Sequence, residues 1–174
     1  MIKVYREGKH HFQLGPNTNL FDFTYVLNVA HAHLLAAHAL LHSHTLSTPP
    51  LNHEKIDGET FFITNMEPVY FWDFPREIWK NLGNKEGNES VWVIGQEVGN
   101  VLGSVMDWGM WCVGKKSKLT PREVKYSCMT RYYDCSKART RLGYEPIVGL
   151  KEGVRKAVGW FEEESRREGE KKGQ

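Results

Sequence analysis

The sequence is poor in cysteine and carries little net charge, and both shortages exclude classes of protein. Among its 174 residues are three cysteines, Cys112, Cys128 and Cys135, which lack a tight metal-ligand spacing. A small and odd number of cysteines fits a reducing compartment better than a disulfide framework. The formal net charge of +2 is too small to drive general nucleic-acid binding. The first residues contain no apolar stretch, so we expect no signal peptide.

What the sequence does contain is enough apolar material for one folded core. Hydrophobic residues make up 40% of the chain and charged residues 25%, a balance that excludes a disordered protein. We expect one region over 1–164, followed by a charged, disordered tail over 165–174. Residues 115–141 hold nine basic and two acidic side chains. That basic stretch is either a solvated face or a surface for anionic lipid or phosphate.

Three segments have the pattern of β-strands. Residues 11–14 alternate between polar and apolar, residues 20–26 are β-branched and aromatic, and residues 60–64 have the unbroken apolar centre of a strand buried on both faces. The chain offers no obvious helical crossover that would give residues 60–64 a parallel neighbour. We therefore expect an apolar strand edge that invites aggregation or pairing with another chain.

Helix signals occupy much of the remaining sequence. Asn28 is the expected N-cap of a helix that reaches about Leu41. Pro75 either kinks a helix predicted over 68–83 or marks its true start, since proline cannot donate the helical hydrogen bond. Further helix signals lie at Thr120, which is followed by a proline and a capping-box glutamate, over 136–142, and from Leu150 onward.

Residues 91–112 form an amphipathic pattern of their own. On a helical projection the apolar side chains fall within an arc of about 120°, with carboxylates on the far side and a stripe of glycines between them. Carboxylates near the middle are too costly for a bilayer span, which needs about 20 mainly apolar residues. Two interpretations stay open. The helix either lies in a membrane interface, with Trp92, Trp108 and Trp111 at headgroup depth, or packs on its own domain.

A cluster of histidines contains one spacing that is also found in metal sites. His38 and His42 are one helical turn apart, which is a spacing that can bind a metal ion, but the cluster contains no carboxylate and nothing resembles His-Glu-x-x-His. We expect solvated helix histidines and assign no metal ligand. The cluster consists of His31, His33, His38, His42 and His44.

Two kinds of spacing, Tyr-x-x-x-Lys and a glycine repeat, are similar to dehydrogenase motifs. Tyr5 with Lys9, and Tyr133 with Lys137, have the Tyr-x-x-x-Lys spacing in which a lysine cation lowers the pKa of the tyrosine. A lone spacing of this kind arises often by chance. A glycine repeat over 95–103 follows a strand-like segment but departs from the Gly-x-Gly-x-x-Gly dinucleotide fingerprint. We assign none of these as a catalytic or cofactor motif.

Several segments in a fixed order resemble a known family. They are Asn17 to Val26, Ala30 to Ala36, Phe62-Ile63-Thr64-Asn65 running into Phe71-Trp72-Asp73-Phe74, Lys137-Ala138-Arg139, Leu142-Gly143-Tyr144-x-Pro146, and Leu150 to Phe161. This succession resembles the C-terminal half of the 3β-hydroxysteroid dehydrogenase family of extended short-chain dehydrogenases. Within that family it is most similar to the fungal sterol-4α-carboxylate 3-dehydrogenases (decarboxylating). The resemblance covers nearly the whole chain.

The resemblance implies an α/β fold, namely the C-terminal substrate-binding part of an extended short-chain dehydrogenase Rossmann-type fold. That part is mostly helical with a few short strands, and the N-terminal dinucleotide-binding half is missing.

The implied reaction is an NAD- or NADP-dependent oxidation of the 3β-hydroxyl of a sterol acid, after which the 4α-carboxylate leaves as CO₂. The implied place is the cytosolic face of the endoplasmic reticulum membrane, beside the other sterol C4-demethylation enzymes. We expect this chain alone neither to bind the cofactor nor to turn over. The alternative is a non-catalytic module that binds sterol, membrane or the demethylation complex.

The same resemblance suggests where a sterol would bind. The family's catalytic residues match no position of this chain, so none is assigned. Sugar-nucleotide members tend to carry an arginine where this chain has Phe21, which suits an apolar ring system instead. Asp22 is expected to position backbone rather than to act as an acid. The candidate sterol-binding side chains are Phe21, Phe23, Tyr25, Phe71 and Trp72, in a pattern equally typical of core residues.

Overall fold

A computed structural model describes residues 1–85, 91–114 and 120–172. Within it the chain divides into two compact units, each built from two separate stretches of sequence. Unit 1 comprises Met1–Phe21 and Val69–Arg131, and unit 2 comprises Asp22–Pro68 and Tyr132–Gln174. The lysines at 115–118 of the basic stretch lie outside the described residues.

Helices dominate both units. In chain order the elements are α1 (Ile2–Arg6), β1 (Phe12–Leu14), β2 (Leu20–Phe21), α2 (Val26–Thr45), β3 (Val69–Tyr70), α3 (Asp73–Asn81), β4 (Trp92–Ile94), α4 (Gln96–Cys112), α5 (Pro121–Cys128), α6 (Ser136–Leu142) and α7 (Leu150–Lys172). The expected class, a mostly helical α/β fold with a few short strands, is confirmed.

The strands of unit 1 form two separate pairs. β1 lies parallel to β4, with Phe12 opposite Trp92 and Leu14 opposite Ile94. β2 lies antiparallel to β3, with Leu20 opposite Tyr70. The strand predicted over 11–14 is therefore confirmed as β1.

The other two strand predictions need correction. The segment 20–26 is a strand only at Leu20–Phe21, because the helix α2 already begins at Val26. Residues 60–64 have no hydrogen-bonded strand partner in the described part of the chain. Their carbonyls are bound by side chains instead: the Lys137 ammonium donates to the Thr60 carbonyl at 2.9 Å, and the Tyr144 hydroxyl donates to the Thr64 carbonyl at 2.8 Å.

Several helix predictions are confirmed. Pro75 lies in the first turn of α3, where a missing N–H costs nothing, so it marks the start of a helix rather than a kink. Thr120 caps α5, and its backbone N–H donates to the Glu123 carboxylate at 3.0 Å in the expected capping box. α6 ends as predicted at Gly143, which adopts the left-handed conformation at φ 63°.

Three helix boundaries differ from prediction. α2 begins two residues before Asn28 and continues to Thr45. The pattern over 91–112 is divided, because Trp92–Ile94 pairs with β1 and the helix α4 starts only at Gln96. α7 remains helical to Lys172, through much of the 165–174 segment expected to be a disordered tail. Pairs such as Arg167 with Glu163 at 2.5 Å, one turn apart, favour the helix there.

The core of unit 2 lies where α2 meets α6. Ala32, Ala138, Leu142 and Tyr144 are buried together, and several partly buried apolar side chains pack against them. Small residues at 32 and 138 let the two helices approach closely, since alanine places only a methyl group at the contact.

Asn28 is the polar centre of unit 2. Its side chain is fully buried and its hydrogen-bonding capacity is used completely. The amide N–H₂ donates to the Asn65 side-chain oxygen and to the Val148 carbonyl, both at 2.8 Å. The amide oxygen accepts from the backbone N–H groups of Ile147 and Val148, both at 3.0 Å. Asn28 is therefore a cross-link between three chain segments rather than an N-cap.

The Asn28→Leu variant tests this role. Leucine has a similar size but cannot hydrogen-bond, so buried donors and acceptors of Asn65 and of residues 147–148 lose their partner. We expect the free energy of unfolding to fall by about 3 kcal/mol or more, measured by urea denaturation. The Asn52→Leu variant, at an exposed position of the same unit, is the control and should change stability little. Equal stability of Asn28→Leu and the parent chain would contradict the assignment.

Candidate functional site

An aromatic cluster lies in unit 1. The Phe21 ring meets the Phe71 ring edge to face at 5.3 Å and the Tyr126 ring at 5.2 Å. The Arg131 guanidinium lies 5.9 Å from the Tyr126 ring centre, within reach of a cation–π interaction. Phe21 and Phe71 are only 4% and 7% exposed. Both are thus core residues of unit 1.

The other candidate sterol-binding side chains lie nearer the surface. Trp72 packs edge to face on Phe71 at 5.6 Å, and its indole N–H donates to the Leu14 carbonyl at 2.8 Å. Phe23 and Tyr25 belong to unit 2 and are partly exposed. The structure therefore brings Phe21, Phe71 and Trp72 together, and the sterol-binding role of all five side chains stays a prediction.

The Tyr25 ring packs directly against α7 at Gly153. A Cβ at Gly153 of α7 would lie 2.9 Å from the Tyr25 ring, which is closer than real Cβ contacts allow. The absence of that side chain lets the ring lie on the backbone of α7.

A small polar cavity of about 240 Å³ lies within unit 2, and Asp22 lines it. The Asp22 carboxylate accepts the backbone N–H of Tyr133 at 2.8 Å, so it positions backbone as expected. Burial raises the pKa of Asp22, and the hydrogen bond from Tyr133 opposes part of that rise. On the same cavity, the hydroxyl and N–H of Ser136 donate to Asp134 and lower the pKa of that carboxyl.

Thr64 and Cys135, which line this cavity, belong to a chain of polar contacts that the sequence patterns did not reveal. The Thr64 hydroxyl lies 3.3 Å from the Cys135 sulfur and accepts the backbone N–H of Met66 at 3.0 Å. The Tyr144 hydroxyl donates to the Thr64 carbonyl at 2.8 Å. Burial, followed by the charges of Cys135 and Glu145, raises the pKa of Tyr144 to about 12. Tyr144 is therefore a neutral hydrogen-bond donor that holds Thr64 in place.

The two Tyr-x-x-x-Lys spacings place their lysines beside acidic side chains. The Lys137 ammonium pairs with the Glu59 carboxylate at 2.5 Å, and the Tyr133 ring stacks on Phe62 at 4.6 Å. The hydrogen bond and charge of Lys137 lower the pKa of Glu59. In the other pair, the Lys9 ammonium lies 2.6 Å from Glu7. Each lysine charge is therefore held by a carboxylate.

Two glycines of the repeat over 95–103 form a helix-packing surface. Gly99 and Gly103 are buried on the side of α4 that faces α5. A Cβ on Gly99 would lie 3.1 Å from Val124, and a Cβ on Gly103 would lie 3.1 Å from the Pro121 backbone nitrogen. The missing side chains at Gly99 and Gly103 therefore let α4 pack closely against α5.

The histidine cluster borders an open cleft of about 1030 Å³ in unit 2. His38 and His42 line this cleft together with His53 and Glu54. Over residues 1–85, 91–114 and 120–172, no group of three or more potential ligands is placed to hold a metal ion.

The apolar side of α4 is exposed. Because the glycines occupy the side that faces α5, the large apolar residues project away from it. Val101, Val105, Trp108 and Trp111 are 65%, 62%, 69% and 76% exposed. Within the described ranges no helix combines the length and apolar character that a bilayer crossing requires. The helix does pack on its own unit, against α5 and through its glycines, while its apolar side chains stay exposed.

Comparison with known proteins identifies the class to which this fold belongs. The fold matches the crystal structure of gox2253 with a TM-score of 0.60 and 22% identity, covering 95% of this chain and 43% of that one. The chain is 42% identical over 161 residues to the Saccharomyces cerevisiae protein named sterol-4-alpha-carboxylate 3-dehydrogenase ERG26, decarboxylating, and 40% identical over 166 residues to its namesake in Schizosaccharomyces pombe. A human protein named sterol-4-alpha-carboxylate 3-dehydrogenase, decarboxylating, is 31% identical over 163 residues.

These matches cover nearly all of this chain but less than half of the relatives. They span 92% and 95% of this chain against 44% and 46% of the two yeast proteins, in whose C-terminal part they lie. The sequence profile of the 3-beta hydroxysteroid dehydrogenase/isomerase family matches residues 1–93. The chain belongs to this family, as its resemblance implied.

The raised pKa of Tyr144 predicts that the stability of the fold falls at high pH. An unfolded tyrosine releases its proton near pH 10, whereas folded Tyr144 holds its proton to about pH 12. The resulting stabilisation is fully present below pH 10 and is lost as the pH rises towards 12. Urea denaturation between pH 10 and 12 should show a smaller loss of stability for Tyr144→Phe than for the parent chain, because phenylalanine has no proton to release. At neutral pH the same variant should be less stable by about 1–2 kcal/mol, because it lacks the hydrogen bond to the Thr64 carbonyl. Tyr132→Phe, at an exposed site of unit 2, is the control. An unchanged pH dependence in Tyr144→Phe would contradict the prediction.

Proposed function

We propose that this chain is the substrate-binding part of a dehydrogenase that oxidises the 3β-hydroxyl of a 4α-carboxysterol. The observation that carries the proposal is the 42% identity, over 92% of this chain, to a protein named as such a dehydrogenase. Trp72, which is partly exposed and packs on Phe71, supports it, because aromatic surfaces favour rigid apolar ring systems.

The chemistry follows from the substrate. Oxidation of the 3β-hydroxyl to a ketone places the carbonyl β to the carboxyl group on C4. The carboxylate then leaves as CO₂, since the electron pair that remains on C4 is stabilised as an enolate. NAD or NADP, the cofactor of this family, would accept the hydride. We assign this chain to the sterol side of the reaction.

Sterol binding by the full 174-residue chain tests the proposal. We expect a 4α-carboxysterol to quench tryptophan fluorescence saturably, and we expect no NADH when NAD⁺ is added. Phe23→Ala should weaken sterol binding about tenfold, because it removes a partly exposed aromatic contact of the predicted site. Tyr70→Ala, an exposed aromatic outside the predicted set, is the control. Absence of sterol binding, or equal loss in both variants, would overturn the proposed substrate class.

We also propose that α4 rests in a membrane interface, in keeping with an endoplasmic reticulum location beside other C4-demethylation enzymes. The exposed apolar face of α4 carries Trp108 and Trp111, and indole side chains favour the headgroup region of a bilayer. With its glycine face held by α5, the helix would lie along the interface.

Flotation with vesicles of phosphatidylcholine and phosphatidylserine tests this second proposal. The chain should float with the vesicles and stay bound at high salt, because apolar insertion is not screened by ions. The double variant Val101→Glu and Val105→Glu should reduce the bound fraction about tenfold or more. Leu34→Glu, an exposed leucine of α2, is the matched control and should float normally. A parent chain that stays in the soluble fraction would contradict the proposal.

A further inference from the structure

Arg131 lies beside the aromatic cluster of unit 1, and its backbone is fixed there while the residue itself is exposed. Its backbone N–H donates to the Leu20 carbonyl at 2.8 Å, and it forms a parallel bridge with Phe21. The segment before it is fastened by the buried Asn19, whose amide donates to the Met129 carbonyl at 2.9 Å. The place of this arginine is therefore set by main-chain and buried contacts.

The guanidinium of Arg131 lies over a tyrosine ring that rests on buried phenylalanines. The guanidinium carbon is 5.9 Å from the centre of the Tyr126 ring, which packs on Phe21 at 5.2 Å and on Phe71 at 6.0 Å. Tyr126 is 44% exposed, and the partly exposed Trp72 packs on the same Phe71 ring at 5.6 Å. Unit 1 therefore presents accessible aromatic rings and a fixed cation in one cluster.

A 4α-carboxysterol has both of the chemical features that this cluster can bind. Its fused rings are apolar and favour aromatic surfaces. Its carboxylate is ionised at neutral pH, and taking it out of water costs free energy unless a cation binds it. Arginine is the side chain best matched to this task, because its planar guanidinium can donate two parallel hydrogen bonds to one carboxylate.

We propose that Arg131 binds the 4α-carboxylate of the sterol, an inference that rests on the proposed function. The carbon that bears this carboxylate is bonded to the carbon that bears the 3β-hydroxyl. A carboxylate held by Arg131 therefore limits where the hydroxyl can lie, so the arginine orients the group that is oxidised. The same contact selects sterols that carry an acid at C4 over sterols with a neutral group there.

A second arginine of unit 1 lies close to Trp72 but is held by the chain itself. The backbone N–H of Arg76 donates to the Trp72 carbonyl at 3.2 Å. Its guanidinium donates to the Asp73 carboxylate at 3.0 Å and to the side-chain oxygen of Gln13. Because a carboxylate of α3 already binds Arg76, that arginine serves the fold, and the sterol acid is assigned to Arg131.

Titration of the full 174-residue chain with two sterols tests the proposal. The probes are a 4α-carboxysterol and its 4α-hydroxymethyl analogue, which is similar in size and uncharged, and the readout is tryptophan fluorescence. We expect the parent chain to bind the acid about tenfold more tightly than the alcohol. Arg131→Gln should weaken binding of the acid about tenfold and change binding of the alcohol by less than about twofold. Arg131→Lys should keep part of the preference, because it retains the charge but not the planar fork.

Arg122→Gln is the matched control, because it removes the same charge from an exposed position on the helix that carries Tyr126. It should bind both sterols as the parent chain does. Arg131→Gln should keep the circular dichroism and thermal midpoint of the parent chain, since the replaced side chain is exposed. A preference for the acid that survives in Arg131→Gln, or an equal loss of both sterols, would overturn the proposal. So would a parent chain that binds inorganic phosphate as tightly as the acid, because Arg131 would then belong to a phosphate site.

The outcomes also separate this inference from the proposed function. A parent chain that binds neither sterol overturns the proposed substrate class and this inference with it. A parent chain that binds the acid and the alcohol equally well leaves a sterol site standing and counts against Arg131 alone.

Discussion

The buried amide of Asn28 organises unit 2. One side chain binds Asn65 and the backbone of residues 147–148, and the Asn65 oxygen in turn accepts the backbone N–H of Tyr25 at 2.8 Å. Two segments that are distant in sequence, at residue 65 and at residues 147–148, are thereby fixed against the start of α2. A buried polar group of this kind is costly unless every donor and acceptor is satisfied, so the network permits one arrangement of these segments and disfavours others.

That arrangement has consequences for the surfaces of the molecule. Because Asn28 and Ala32 direct one side of α2 inward, Leu27, Leu34 and Leu41 on the opposite side are exposed. A similar constraint acts on α4 in unit 1, where Gly99 and Gly103 occupy the contact with α5 and leave the apolar side chains exposed. In both helices, small or polar residues make the intramolecular contact, and the larger apolar residues remain for something else to cover. In α4, this arrangement is the physical basis for the proposed membrane contact.

The sequence predicted helix starts and ends correctly where they depend on neighbouring residues alone. The capping box at Thr120, the first-turn Pro75 and the glycine stop at Gly143 were all predictable, because each concerns hydrogen bonds and torsion angles within a few residues. The strand expected over 60–64 was not found, since a strand exists only through a neighbour that no local pattern specifies. For the candidate site, the sequence supplied the aromatic residues but not the burial of Phe21.

The amino-acid order alone thus specified the family, the positions of most helices and the chemical character of each face. It could not specify which face of an amphipathic helix turns inward. That choice follows from long-range contacts, such as those of Asn28 with residue 148 and of Gly103 with Pro121, in which close approach and hydrogen-bond satisfaction outweigh the burial of a few leucines or valines. Hydrophobic patterning shows that a helix has an apolar face, and only the packed chain shows whether that face is buried.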